Sequence, residues 1–423
     1  MLRSVYTFLL YLLTPFILFR LYWKGRRLKE YRCRIAERFS LTPMQPTDVW
    51  LHAVSLGEVV AATPLIEALL AKRWRVLITT MTPTGSQQVI ARFGARVAHQ
   101  YLPYDLPWAL RRFFRAIDAR LGIIMETELW PNLIEFATRE KVPMILMNAR
   151  ISDKAFSSYK RTRFFFKPVL SKFKAILAQS ELDAARFVKL GAAKRRVHAI
   201  GNMKFDLQIQ SVSRIQVETF KIKWGSERPV FIVASTHDDE ENQLLTRLKQ
   251  LKSVIPNVLV IIAPRHPERF KAVYDLCCQL GLNTALRSEP ESISNLIDVI
   301  VLDSLGELLS FYETSDYAFV GGSLVPVGGH NVLEPIAMQV PVFTGPFMMN
   351  SKAICAELLA AKAMQSFDNV DALYAAIIRL HRNPSQRIEQ IKNANAVLAL
   401  NKGTVARSMK VVVSLIKPAF QEL

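Results

Sequence analysis

A chain of 423 residues, half of them hydrophobic and 22% charged, has enough length for two cores and too much apolar content to be disordered. Its formal net charge of +19 points to a polyanionic partner, whether nucleic acid, anionic lipid or a phosphorylated substrate. Four cysteines (Cys33, Cys277, Cys278, Cys355) fall at no metal-ligand spacing, which fits a reducing compartment.

The first element is apolar. SVYTFLLYLLTPFILF (4–19) carries no charge and runs into RLYWKGRRLKEYRCR. A bilayer crossing takes ~20 apolar residues, so a membrane anchor is expected. It is either a span prolonged by Leu21, Tyr22 and Trp23 or a helix lying in the interface. Residues 1–40 hold nine Lys/Arg against two Glu, which places the basic side on a cytoplasmic, anionic face. No small-residue cleavage site follows, against a cleaved signal peptide. With the body tethered there and no RNP, helix-turn-helix or zinc-finger pattern, nucleic acid drops out as a partner.

After Pro46, β-branched runs alternate with helical stretches. The runs are VWLHAV (49–54), RVLITTMT (75–82), LGIIMET (121–127), VPMILMNAR (142–150), AILAQS (175–180) and VHAIGN (197–202). Such alternation predicts an open parallel sheet. Residues 207–228 are mostly polar and read as a linker. The pattern restarts with PVFIVAST (229–236), NVLVIIAPRHP (257–267), LNTALRS (282–288), DVIVLDS (298–304), YAFVGGS (317–323) and VPVFTGP (340–346). The expected organisation is an anchor with its basic segment (1–40), an α/β domain (41–206), the linker (207–228), a second α/β domain (229–400) and a closing helix (401–423). Two doubly wound domains facing across a cleft follow from it. FSSYKRTRFFFKPVLSKFK (156–174) interleaves bases with aromatics, which suits a membrane-facing helix or an amphipathic one packed on the core.

Ligands of open parallel sheets bind outside the carboxyl ends of the strands. There the sequence places Ser55, Glu58, Glu126, Asn148, Asn202 and Lys204 in the first half, and Ser235, Thr236, Arg265, Ser304, Gly306 and Glu307 in the second. GGHNVLEPIAMQVPVFTGP (328–346) is the densest stretch. Gly328 and Gly329 are expected to let a ligand approach the backbone, and Pro335 to open a helix whose amides suit a phosphate. Glu334 suits two ribose hydroxyls, or else Asn331 caps the helix and Glu334 complements its dipole. Arg265 has the planar fork for phosphate. Asp238 to Glu241 read as capping acids without chemistry. SLGE occurs twice, at 55–58 and 304–307. The seven histidines are scattered along the chain with no HxxxH pair, so no metal site is expected. Without a P-loop or a GxGxxG after the first strand, neither an ATPase nor a dinucleotide enzyme is expected.

In chain order, HAVSLGE, METELWP, GNMKFD, APRHPER, DSLGEL and GGSLVPVGGHNVLEPIAMQVPVFTGP together resemble the 3-deoxy-D-manno-octulosonic acid (Kdo) transferases, glycosyltransferases of the GT-B fold. The resemblance implies inverting transfer of Kdo from CMP-Kdo to a primary hydroxyl of the lipid A precursor lipid IV-A, without metal or cofactor. It also implies a bacterial inner-membrane location with the catalytic domains on the cytoplasmic face. It assigns Glu58 as proton acceptor, with Glu126 and Lys204 as transition-state supports. CMP contacts are implied from Pro264, Arg265, Gly306, Glu307, Leu308, Asn331, Val332, Leu333 and Glu334. For Glu58, the helix dipole favours a low pKa and burial a raised one. Glu128 and Trp130 are read as structural. The competing readings are another GT-B transferase, a nucleotide-sugar epimerase, or a non-catalytic membrane scaffold.

Overall fold

The computed structural model describes residues 2–26, 29–206 and 214–416. The chain divides into two units, Met1–Leu207 with Asn401–Leu423, and Gln208–Leu400. Part of the expected linker (207–213) and the end of the expected closing helix (417–423) lie outside the described residues.

In the first unit, strands β1 (Val49–His52), β2 (Val76–Thr80), β3 (Ala98–Tyr101), β4 (Leu121–Met125), β5 (Met144–Ala149), β6 (Ala175–Ala178) and β7 (Val197–Ala199) form one sheet. Its order is β3-β2-β1-β4-β5-β6-β7, with every pairing parallel. Alternate residues serve opposite faces, as a strand requires. Val49 and Leu51 enter one apolar layer, while Trp50 enters the other beside Phe113 and Phe114. Covering both faces demands the near-continuous apolar runs seen in the sequence.

The second unit repeats the plan with β8 (Val230–Thr236), β9 (Leu259–Pro264), β10 (Thr284–Leu286), β11 (Val299–Val301), β12 (Tyr317–Val320), β13 (Val342–Thr344) and β14 (Met364–Ser366). The order is β10-β11-β9-β8-β12-β13-β14, again all parallel. Phe231 and Val233 face one layer and Val230, Ile232 and Ala234 the other. Sequence order reverses between β1 and β4 in the first sheet and between β8 and β12 in the second. Crevices at such reversals bind ligands.

The helix Arg214–Trp224 belongs to the segment read as linker. It is not loose: Phe220 stacks on Phe311 at 4.8 Å and Trp224 is buried in the second unit's core. The closing helix is Thr404–Leu415, and it packs on the first unit through Val412 and Met409. Asp206 accepts from the Gly403 and Val405 amides at its start, and Arg407 donates to the Ile200 carbonyl at 2.7 Å.

The apolar helix Leu2–Lys24 is long enough to cross a membrane and none of it is buried. Its foot is nevertheless fixed to the first unit. The Tyr6 hydroxyl donates to Asp105 at 2.9 Å, Thr7 pairs with Asn132, and Tyr6 lies 5.7 Å from Phe165. In the basic, aromatic stretch, Phe165 and Phe166 turn inward while Phe164 is exposed.

Candidate active site

The two sheet reversals carry clusters of opposite character. At the first, Ser55 precedes the helix Leu56–Ala71, which places Glu58 in its opening turn. The carboxylate folds back to accept from the Val54 amide at 2.8 Å and the Ser55 hydroxyl at 3.3 Å. Burial pushes its pKa from 4.5 up to about 7, and the charges of Glu126 and Glu128 push the same way. The Val54 amide and Ser55 hydroxyl oppose the shift without cancelling it. Of the two effects expected at Glu58, desolvation outweighs the helix start, whose influence is worth only ~0.3–1 kcal/mol near a surface.

Glu126 follows β4 in a left-handed conformation, φ 54°. A non-glycine residue held there is a strained placement of the kind found at functional turns. Its carboxylate lies 3.6 Å from the Lys204 ammonium. Lys204 is placed in turn by Asn202, which accepts its backbone amide at 3.0 Å, and by Asn148, which accepts from Met203 at 3.0 Å. Asn148 is wholly buried, also with φ 52°. The structure thus brings Glu58, Glu126 and Lys204 into one neighbourhood. It adds Glu128, whose pKa is raised by burial and by Glu126, and which accepts from the Trp130 indole at 2.8 Å. Trp130 does sit at a helix start and pack on the core, as the structural reading has it, but that reading did not foresee the charge of Glu128 reaching Glu58. The available signal was two glutamates two residues apart, directly after a strand.

In the second unit the residues expected to hold CMP fall at the carboxyl ends of β9, β11 and β12. Pro264 closes β9 and is buried, and the exposed Arg265 follows it. Gly306, with φ 87°, and Glu307 lead into the helix Leu308–Glu313, where Leu308 is half-buried against the core. Glu307 accepts from Ser304 and from Arg287, the latter at 2.8 Å. Asn331 accepts the Leu333 amide at 3.1 Å and donates to Glu334 at 2.9 Å, while Val332 and Leu333 are buried. Burial raises the Glu334 pKa, and Asn331 and Arg265 counter it. Buried Tyr312, on the Leu308–Glu313 helix, feels the Glu334 charge, so these turns are neighbours.

Three expectations need correction. The helix after Asn331 spans only Leu333–Ala337, too short for its dipole to cradle a phosphate. Gly328 and Gly329 do make room for a close approach, but for this chain's own side chains. A Cβ at Gly329 would meet Met348 Sδ at 2.0 Å, and one at Gly328 would meet Asn350 at 2.7 Å. The acids of STHDDEE do more than cap. Glu240 is fully buried and accepts four backbone amides: His237 at 2.9 Å, Gly322 at 2.6 Å, Ser323 at 3.0 Å and Leu324 at 2.9 Å. It moulds the loop after β12. Glu241 accepts from Thr236 at 2.6 Å and pairs with Arg269, so Thr236 is committed inside the fold. Three of the scattered histidines, His237, His266 and His330, converge.

The relatives agree with this architecture. Residues 33–207 match the family model described as 3-deoxy-D-manno-octulosonic-acid transferase (kdotransferase). A 3-deoxy-D-manno-octulosonic acid transferase of Haemophilus influenzae is 37% identical over 98% of each chain. One from Bordetella pertussis is 32% identical over 96% of this chain and 98% of its own. Among solved structures, the UDP-GlcNAc 2-epimerase of Neisseria meningitidis bound to UDP-GlcNAc covers 87% of this chain and 99% of its own. Its TM-score of 0.55 at 13% identity shows a shared fold and no more. The two parallel α/β units are those of the GT-B fold, and the chain belongs to the 3-deoxy-D-manno-octulosonic acid transferase family of glycosyltransferases.

Proposed function

We propose that the protein transfers Kdo from CMP-Kdo to a primary hydroxyl of lipid IV-A with inversion, and that Glu58 is the general base. The observation that carries this reading is the Glu58 carboxyl, withdrawn from solvent beside two other acids with its pKa raised to about 7. An ordinary glutamate is too weak a base to take a proton from an attacking alcohol at neutral pH, and one near 7 is matched to the task. Lys204, 3.6 Å from Glu126, supplies positive charge near that base, and Glu126 holds the lysine in place. In the second unit, Glu334 and Asn331 would take the ribose and base, with Pro264, Gly306, Glu307, Leu308, Val332 and Leu333 shaping the cytidine site. Arg265 meets the phosphate.

The acceptor side rests on the apolar helix Leu2–Lys24 and the basic segment behind it, which suit the cytoplasmic face of a bacterial inner membrane. Incubating purified enzyme with CMP-Kdo and lipid IV-A tests the reading. A lipid product heavier by whole Kdo units, with matching CMP release, is expected. Release of CMP that does not depend on the lipid would overturn the acceptor, and no release at all would overturn the reaction.

A further inference from the structure

The donor of the proposed reaction brings a phosphodiester and leaves as a phosphate monoester, so the second unit must meet at least one full negative charge. Part of the usual device, free amides at a turn or helix start, is already committed in the turn after β12 and at Leu333. The amides of Gly322, Ser323 and Leu324 are held by Glu240, and the Leu333 amide by Asn331. What the carboxyl ends of β9, β8 and β12 present instead is a set of rings and one cation.

His237 follows β8, His266 follows β9, and His330 lies on the loop after β12, immediately before Asn331. The His237 and His330 rings are parallel within 1°, 5.0 Å between centroids, with their Nε2 atoms 2.8 Å apart. His266 stands edge-on to His237 at 5.4 Å. The pair rests on Gly322, where φ is 65° and a Cβ would come within 3.1 Å of His330 Nε2. Two nitrogens at 2.8 Å share a proton. Ligands of a tetrahedral zinc would stand ~3.3 Å apart, so the geometry is that of a hydrogen bond and not of a metal pair.

We propose that His237 and His330, together with Arg265, form the receptor for the donor's phosphate, and that the imidazole pair gains a proton when the phosphate arrives. The inference rests on the nucleotide-sugar reading above and extends it to two residues outside the cytidine site. Without a ligand the rings are held neutral. Burial lowers the His330 pKa to about 4, aided by Arg265, His237 and His266. Burial also lowers that of His237, where His266 and Arg269 act against protonation and Glu240 and Glu241 favour it. Asp238, fully exposed, is paired with Arg269. A phosphate dianion set beside Arg265 and these rings reverses the balance, because an adjacent opposite charge raises an imidazole pKa. One extra proton across the pair leaves both Nδ1–H groups as donors. Charge-assisted bonds of this kind are about twice as strong as neutral ones. The pair therefore binds the leaving CMP more tightly as its charge develops, with no covalent step of its own.

The test uses full-length protein in detergent, with CMP and cytidine compared by calorimetry at pH 6.5 and 8 in buffers of different ionisation enthalpy. CMP affinity is expected to fall as pH rises and to be accompanied by proton uptake, while cytidine affinity stays flat. The nucleotide's own ionisation would act in the opposite direction, since its phosphate gains charge with pH. His330→Gln and His237→Gln are expected to weaken CMP by roughly 10- to 100-fold, to leave cytidine unchanged and to abolish the uptake. Unchanged CMP affinity and uptake in both variants would overturn the receptor, as would equal losses for CMP and cytidine, which mark a merely structural role. If CMP does not bind the unsubstituted protein at all, the donor reading falls and this inference with it.

Discussion

The sequence SLGE appears twice, and the two copies share a serine-to-glutamate hydrogen bond but sit in opposite company. The first lies inside its helix from Leu56 and the second just ahead of the helix at Leu308. In each, the serine hydroxyl donates to the glutamate three residues on, at the entrance to a helix on the carboxyl side of a parallel strand. Glu58 faces Glu126 and Glu128 and loses water, so its proton is held up to about pH 7. Glu307 faces Arg287, whose guanidinium donates to it at 2.8 Å and also lies over the Phe220 ring. The same four residues thus hold a desolvated glutamate among acids in one place and an ion-paired one in the other. The motif sets direction, and the neighbours set chemistry.

The largest expected effect separates the copies outright. Glu58→Gln removes the proposed base and should lower kcat by about 10²- to 10⁴-fold, with CMP binding intact. Glu307→Gln should leave kcat nearly unchanged and raise the donor KM by about tenfold, the worth of one lost charged hydrogen bond. Steady-state kinetics with CMP-Kdo and lipid IV-A read both. Retained turnover in Glu58→Gln would end its assignment as base.

A third acid sharpens the contrast. Glu240 faces neither acids nor a cation but four backbone amides, and is wholly buried. Glu240→Ala leaves those amides without acceptors, so urea unfolding should show a loss of about 2–4 kcal/mol. Turnover should fall too, because the loop that carries His330 loses its mould. Full stability in that variant would mean the loop holds itself.

These roles were unevenly legible in the sequence. The central strands were, because strands covered on both faces must be apolar throughout. The strands AHQY of β3 and MQS of β14 were not. Both are edge strands, one neighbour short, and their residues are polar enough to read as loop. The carboxylates Glu58 and Glu126 were visible as polar residues at strand ends, but their roles came only from the family resemblance, since Glu58 by itself reads as a helix-start acid. Glu240 looked like an ordinary first-turn acid, since nothing local announces that three of the four amides it binds lie 82 to 84 residues away. His237 and His330, 93 residues apart, meet only because β8 and β12 are neighbours. Contacts that depend on strand order are invisible to spacing.

A smaller effect follows from the raised pKa of Glu58. Between pH 4.5 and 7 the folded protein keeps a proton that the unfolded chain releases. The stabilisation is therefore complete below pH 4.5 and is lost as pH rises through 7. At pH 8 the ionised carboxylate should cost about 1–3 kcal/mol, so Glu58→Gln is expected to be more stable than the parent at pH 8 and similar at pH 4.5. Activity runs the other way, with kcat/KM rising through a midpoint near pH 7 as the base loses its proton. Paired urea titrations and a pH–rate profile test both, and a flat stability difference would mean that Glu58 is solvated after all.

The smallest effect tests whether Glu307 owes its character to Arg287. Both side chains are about four-fifths buried, at 18% and 22% exposure, so their ion pair is less screened than a surface one. Arg287→Met keeps the stem against Phe220 but removes the guanidinium. A loss of about 1–2 kcal/mol is expected, since a half-desolvated carboxylate is left without its cation. The double variant Arg287→Met with Glu307→Gln removes the charge that burial penalises, so it should lose less than the two single losses added together. Strict additivity would show that the two side chains do not interact, and the second copy of SLGE would then need another partner to explain its difference from the first.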